Sequence, residues 1–241
     1  MLPDATYLAA RIDLHYPIIG LYDTPDLSLF TDLVEPSKKI RQCIFQFFPD
    51  WCKGRTLHLT RNNHGCGGCG RYFFSVEHRD RESFIKFLAD EEGLKANHDL
   101  MNRWIDQGNT YKPQHEHLLI GPLQTHSENF LRTITFFVNP DQLSALMIGA
   151  QYFSKPDDPA PVLAPFGAGC GEMLALFDDL EIPQAIIGST DLAMRRHLPP
   201  EIMAFTVTKT MYRQLCDLDN RSFLEKPFLE NLKKARDGRL N

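Results

Sequence analysis

The stretch NNHGCGGCGRYFF, residues 62–74, sets Cys66 and Cys69 in a C-x-x-C spacing whose two spacers are both glycine. Two residues between thiols bring both sulfurs to one side of a turn, where they can chelate one metal or close a small disulfide. Glycine lets the backbone wrap closely round an object and leaves unhindered N–H groups to stabilise thiolate or sulfide. Cys170 lies in a second glycine-rich stretch, APFGAGCGEM, ahead of a helix predicted over 172–180. Its thiol is therefore expected near a helix N-terminus, which favours thiolate. Cys43 is the third contributor: in SKKIRQCIFQFF, Ile40, Cys43, Ile44 and Phe47 follow helical spacing behind Ser37 as N-cap, so Cys43 is expected to face inward.

Four thiolates from three segments suit a [4Fe–4S] cluster, whereas three would leave one iron open to a ligand. Cys43, Cys66, Cys69 and Cys170 are thus the expected metal ligands, with His64 as a fallback. Two alternatives remain: a metal-free thiol/disulfide redox enzyme using Cys66 and Cys69, and a ligand-binding protein with a structural zinc. Cys52 and Cys216 sit in apolar stretches and read as buried, inert thiols.

Outside the cysteines the chemistry is thinner. GSTDLAMRRHLPPE puts Gly188, Ser189 and Thr190 at a strand-to-helix junction that can bind an anion, with Arg195 placed to grip a carboxylate or phosphate. The plainer reading is that Ser189 or Thr190 caps the helix and Asp191 complements its dipole. His64, Arg71, Ser189 and Arg195 are the expected substrate contacts. His115, Glu116 and His117 in QHEHLL read as solvated loop residues. H-E-x-x-H, the Walker phosphate loop and G-x-S-x-G are absent, so a zincin, a Walker NTPase and an α/β hydrolase have no support.

Positioning these residues requires a scaffold, and the pattern predicts an α+β one. Residues 5–12 suit a short helix and YPIIGLYD a strand with a break at its glycine. RTLHLTR alternates like a strand leading into the cysteine turn, and RYFFSVE looks like the strand that follows. DRESFIKFLADEEG (80–93) and HDLMNRWIDQG are amphipathic helices, the second closing at Gly108. The stretch NTYKPQHEHLLIGPLQTHS reads as a long surface segment or lid. RTITFFV is a strand feeding a helix through Asn139 as N-cap and Pro140 at the first helical position. QAIIGSTDLAMRRHL and IMAFTVTKTMYRQLC repeat that strand-then-helix order, and the basic NLKKARDGRLN reads as a fraying tail.

Composition bounds the rest. With 241 residues and 43% hydrophobic content the chain can bury a sizeable core as a single compact unit, with lobes 1–125 and 126–241 as the possible division. A net charge of −5 disfavours general nucleic-acid binding. No apolar run approaches a membrane span and the N-terminus lacks signal-peptide features, so a cytoplasmic protein is expected. A small-molecule ligand or redox partner is expected, and a homodimer is allowed.

The succession YPIIGLYD, RQCIFQFF, GRTLHLTRNNHGCGGCGRYFF, APFGAGCGEML and GSTDLAMRRHLPPEIMAFTV resembles the DUF169 family of uncharacterised ArCR proteins over most of the chain. The resemblance implies that Cys43, Cys66 and Cys170 stand at recurrent cysteine positions, with Cys69 more variable. It implies no settled activity.

Overall fold

The structure, a computed structural model, describes residues 1–77, 79–108, 110–165, 169–173 and 181–238. Among them, eight strands build one mixed sheet: β1 (Ile19–Thr24), β2 (Leu33–Val34), β3 (Thr56–Leu59), β4 (His117–Pro122), β5 (Leu131–Val138), β6 (Val162–Leu163), β7 (Ala185–Gly188) and β8 (Met203–Val207). The order across the sheet is β2-β3-β4-β1-β5-β8-β7-β6. It repeats a plan. In β1–β4 as in β5–β8, the first strand pairs with the fourth and the fourth with the third, both antiparallel, and the third pairs with the second in parallel. The two first strands, β1 and β5, join antiparallel at the centre, with a register shift at Leu21/Tyr22.

The helices are α1 (Thr6–Ile12), α2 (Phe48–Cys52), α3 (Gly67–Phe74), α4 (Arg81–Lys86), α5 (His98–Gln107), α6 (Pro140–Gln151), α7 (Gly169–Glu172), α8 (Leu192–Arg195), α9 (Lys209–Cys216) and α10 (Pro227–Arg236). No helix among the described residues is long and apolar enough to cross a membrane. The strand period of two sorts β5 between two cores: Ile134, Phe136 and Val138 point into one, Phe137 into the other. The first core is closed by Leu8, Leu146, Met211 and Leu215 from α1, α6 and α9. The second takes Trp51, Phe73, Met194 and the cysteines of interest. A smaller apolar cluster, Ile85, Leu88, Met101 and Ile105, holds α4 and α5 together.

Local chemistry explains several boundaries. Asn139 caps α6 and Pro140 stands in its first turn, as the sequence predicts, and Gln142 completes a reciprocal capping box with Asn139. Asp80, Asn97 and Thr208 cap α4, α5 and α9 through their side chains.

Five expectations are corrected. Residues 37–43 do not form a helix; only the short 3₁₀ turn Ile44–Phe47 does, and Ile40 is 64% exposed instead of inward. RYFFSVE is not a strand: α3 runs through it, burying Cys69, Gly70, Phe73 and Phe74 at helical spacing before Ser75 turns the chain at φ 52°. The supposed lid contains β4, an interior strand that reads as loop because its core positions are a short apolar run without period. The basic tail holds α10, fixed where Arg236 pairs with Asp141 of α6. Cys52 is exposed. Most of the helix predicted over 172–180, and Gly167 of the second glycine-rich loop, lie outside the described residues.

One buried carboxylate ties the region after α5 to the sheet. Asp23 of β1 is fully buried and accepts from the Tyr111 hydroxyl, the Gln114 N–H at 2.7 Å and the His115 N–H at 3.0 Å. The Arg132 guanidinium stands 3.7 Å away and supplies the counter-charge a buried carboxylate requires.

Candidate metal or redox centre

The cysteines come from connections of the sheet: Cys43 between β2 and β3, Cys66 and Cys69 between β3 and β4, and Cys170 between β6 and β7. All four belong to the apolar cluster that includes Phe45, Phe73, Met173 and Met194. Cys69 and Cys170 are buried, while Cys43 and Cys66 are partly accessible. The Cys66 thiol donates to the Cys69 sulfur at 3.4 Å, and Cys69 donates in turn to Cys170. Cys43 lies within electrostatic reach of the other three. Cys216 belongs to the opposite core, hydrogen-bonded to Tyr212, and Cys52 stands apart at the end of α2.

Glycine makes this convergence possible by absence of bulk. A Cβ on Gly171 would meet the Tyr72 ring at 2.9 Å, and one on Gly169 would meet Phe45 and Met194 at 2.9 and 3.0 Å. The two glycines flanking Cys170 therefore let α7 pack closely against α3 and Phe45, bringing Cys170 into the cluster that holds Cys66 and Cys69. A Cβ on Gly68 would lie 3.6 Å from the Cys170 sulfur and 3.8 Å from the Cys66 sulfur, so the missing side chain leaves open the space between them. Gly65 turns the chain into α3 at φ +81°, with room for no side chain: its Cβ would stand 2.5 Å from the Gln42 carbonyl oxygen.

Every one of the four thiols is pushed toward its protonated form. For Cys43 the cause is burial, which raises it to about 11. For Cys66 the leading cause is the proton it donates to Cys69, and for Cys69 the one it donates to Cys170. Cys170 gains thiolate character from that last bond, yet burial and the nearby Cys66, Cys43 and Asp191 outweigh it. The thiolate expected at a helix N-terminus is thus not what the free site favours. Clustered thiols raise one another, and a cation that bound there would reverse the balance.

Among the described residues no three His, Cys, Asp or Glu side chains stand in a geometry that could hold a metal ion. Tetrahedral zinc with bonds of about 2.3 Å needs sulfurs about 3.8 Å apart. The hydrogen-bonded Cys66 and Cys69 are closer than that at 3.4 Å and would have to swing outward.

The remaining predicted contacts are dispersed. His64 donates from Nδ1 to the Cys66 carbonyl at 3.0 Å, steadying the turn beside the thiols. Arg71, on α3, pairs with Glu77 and lies over the Phe84 ring at 5.1 Å, linking the cysteine helix to α4. Ser189 is buried in the left-handed region at φ 65° just after β7. Asp191, not Ser189 or Thr190, caps α8 through its side chain. Arg195 directs its Nη atoms at the Ile202, Pro199 and Pro200 carbonyls, so it closes its own turn. Its neighbour Arg196 is the cation whose charge draws Cys43 downward.

Sequence reasoning passed over one arrangement. His58 is held between Glu35, 3.0 Å from Nδ1, and His117, 3.1 Å from Nε2. Glu35 also accepts from Asn63 at the entrance to the cysteine turn, at 3.3 Å. His58 falls on the alternate face of RTLHLTR and could have been paired with His117 only if β4 had been recognised.

The family model for DUF169, described as uncharacterised ArCR, matches residues 8–217. No curated protein and no solved structure matches the chain.

Proposed function

The chain belongs to the DUF169 family, and from its thiol site we propose that it is an iron–sulfur protein of the [4Fe–4S] type, working in redox or cluster-assisted chemistry on a small molecule. The observation that carries this reading is the meeting of Cys43, Cys66, Cys69 and Cys170 in one apolar cluster. These four would hold the group, which when bound supplies one-electron chemistry, or a Lewis acid at an iron that lacks a thiolate.

The surrounding residues support the same reading. Phe45, Phe73 and Met194 keep water from the buried sulfurs, and low solvent access is one of the levers that tune such a centre. Gly68 leaves space between Cys66 and Cys170, and the turn fixed by Gly65 and His64 sets Cys66 at the site's partly accessible side. All six cysteines are free thiols, which fits the reducing cytoplasm we assign to the protein.

One observation favours a second reading. The 3.4 Å contact between the Cys66 and Cys69 sulfurs lies within a short side-chain rotation of the roughly 2.0 Å of a disulfide. Closing that bond would release two protons and pass two electrons to a disulfide or quinone oxidant. A structural zinc is the third possibility.

Metal and acid-labile sulfide analysis of protein purified without oxygen tests these readings. About four iron and four sulfide per chain with a broad band near 400 nm is expected. Cys66→Ser and Cys170→Ser should each lose that band and Cys216→Ser should keep it. Retention in both ligand variants would overturn the assignment. Zinc alone would make the centre structural, and metal-free protein with reversible loss of two thiols would favour the disulfide.

A further inference from the structure

The loop ahead of Cys43 carries a charge pattern unlike the rest of the chain. Lys38, Lys39 and Arg41 are all exposed, and none forms an ion pair among the described residues, in a protein whose net charge is −5. Ile40, at their centre, is 64% exposed. An exposed apolar side chain among unpaired cations offers an apolar contact within a cationic surface.

The two ends of the loop are hydrogen-bonded to each other and to the cysteine turn. Ser37 donates its N–H to the Gln42 side chain at 2.5 Å, and Lys39 donates to the Ser37 hydroxyl at 3.2 Å. The Gln42 N–H reaches the Gly65 carbonyl at 3.3 Å, and Asn63 donates to the Pro36 carbonyl at 3.2 Å. The backbone that carries the cations is thus tied beside Cys43 and Cys66, the partly accessible two of the four thiols. A second exposed apolar residue, Leu192 at 86%, follows Asp191, whose charge is felt at Cys43. The nearby acids offset the pattern only in part: Glu35 and Asp191 set two negative charges against Lys38, Lys39 and Arg41, and Arg196 adds a further cation.

We propose that the Lys38–Arg41 loop, with Ile40 as its apolar contact, is the docking surface for a small acidic electron-transfer protein that serves the thiol-bound centre. The inference rests on the cluster reading of that site. With a cluster held by Cys43, Cys66, Cys69 and Cys170, one electron would pass from the reduced partner, which is oxidised, to that cluster, which is reduced, with no bond made or broken. Cationic surface beside the centre steers an acidic partner to the point of shortest transfer, and such steering weakens with ionic strength.

The test is stopped-flow reduction of the cluster-loaded protein by a reduced, acidic [2Fe–2S] ferredoxin and, separately, by dithionite, a small anion. In the variant carrying Lys38→Glu, Lys39→Glu and Arg41→Glu, the second-order rate with ferredoxin should fall about tenfold or more at low salt. Added salt should narrow the gap, and the dithionite rate should change less than about twofold. An unchanged ferredoxin rate would overturn the proposal. Equal slowing with both reductants would overturn it too, by making the loop a small-anion site. If no reductant bleaches any absorbance, the cluster reading fails. Calorimetric binding of oxidised ferredoxin to the wild type and the triple variant then decides the docking surface on its own, equal binding sinking it.

Discussion

Cys69 of α3 and Cys170 of α7 are buried thiols of one apolar cluster, each shifting the other's hold on its proton, and this pair joins the first strand set to the second. The two elements approach this closely because Gly169 and Gly171 carry no side chain where Phe45, Met194 and Tyr72 press in. Loading the site must take away these thiol protons and those of their neighbours.

Metal binding is therefore expected to depend steeply on pH. The Cys43, Cys66, Cys69 and Cys170 thiols are all raised, so each ligand gives up a proton to bind, and affinity should rise up to about tenfold per pH unit for each thiolate formed. Titrating the apoprotein with Cd²⁺ between pH 6 and 8 and reading the thiolate charge-transfer band measures the slope. A flat dependence would mean the thiols are not the ligands.

Two glycines with nearly the same positive φ should respond differently to alanine. Gly54 has φ +86° with open space where a Cβ would go, and Gly54→Ala should cost only the backbone strain, about 1 kcal/mol. Gly65→Ala adds a collision with the Gln42 carbonyl at 2.5 Å, and its cost should be at least about twice as large. Urea unfolding of both variants makes the comparison. Equal losses would show that the 36–42 loop yields to the added methyl.

Asp23→Ala should be among the most damaging single changes away from the thiols. It removes the shared acceptor of the Tyr111 hydroxyl and two backbone N–H groups and the counter-charge of Arg132, at a cost of about 3–5 kcal/mol. Asp99→Ala, which removes a partner of the exposed Arg103, should cost under about 0.5 kcal/mol. Denaturant midpoints separate them, and a mild Asp23 variant would show the region 110–116 to be held by other contacts.

Alkaline pH should loosen the apoprotein. Burial pushes the Cys216 thiol up to about 11, above an unfolded value near 8.5. The folded state thus keeps its proton where the unfolded state has lost it. Stability from this group is complete below about pH 8.5 and is lost as pH rises toward 11. The fall in urea midpoint between pH 8 and 10.5 should be shallower in Cys216→Ala, and identical slopes would exclude Cys216 as a contributor.

What could be foreseen from sequence was whatever is enforced locally. Asn139, Pro140 and Gln142 write the start of α6 within four residues, and the structure follows them. α3 was hidden because glycine is a poor helix former, and the helix exists only because Phe73, Phe74 and Cys69 find the second core. β4 was hidden because its identity is settled by its neighbours β1 and β3. The cysteines could be singled out by spacing, but the glycines beside Cys170 take their meaning from Tyr72 and Met194, which no local pattern announces.

The repeated strand order also divides the thiols unevenly. Cys43, Cys66 and Cys69 belong to the segment spanned by β1–β4, and Cys170 to that spanned by β5–β8. A chain folding from its N-terminus has three sulfurs in place well before the fourth can reach them. The fourth arrives only when β5 has zipped along β1 and α7 has seated on α3, contacts of long sequence separation that form late. A complete set of four sulfurs is thus a signature of finished folding, and any group that needs all four would load only after the two strand sets have assembled.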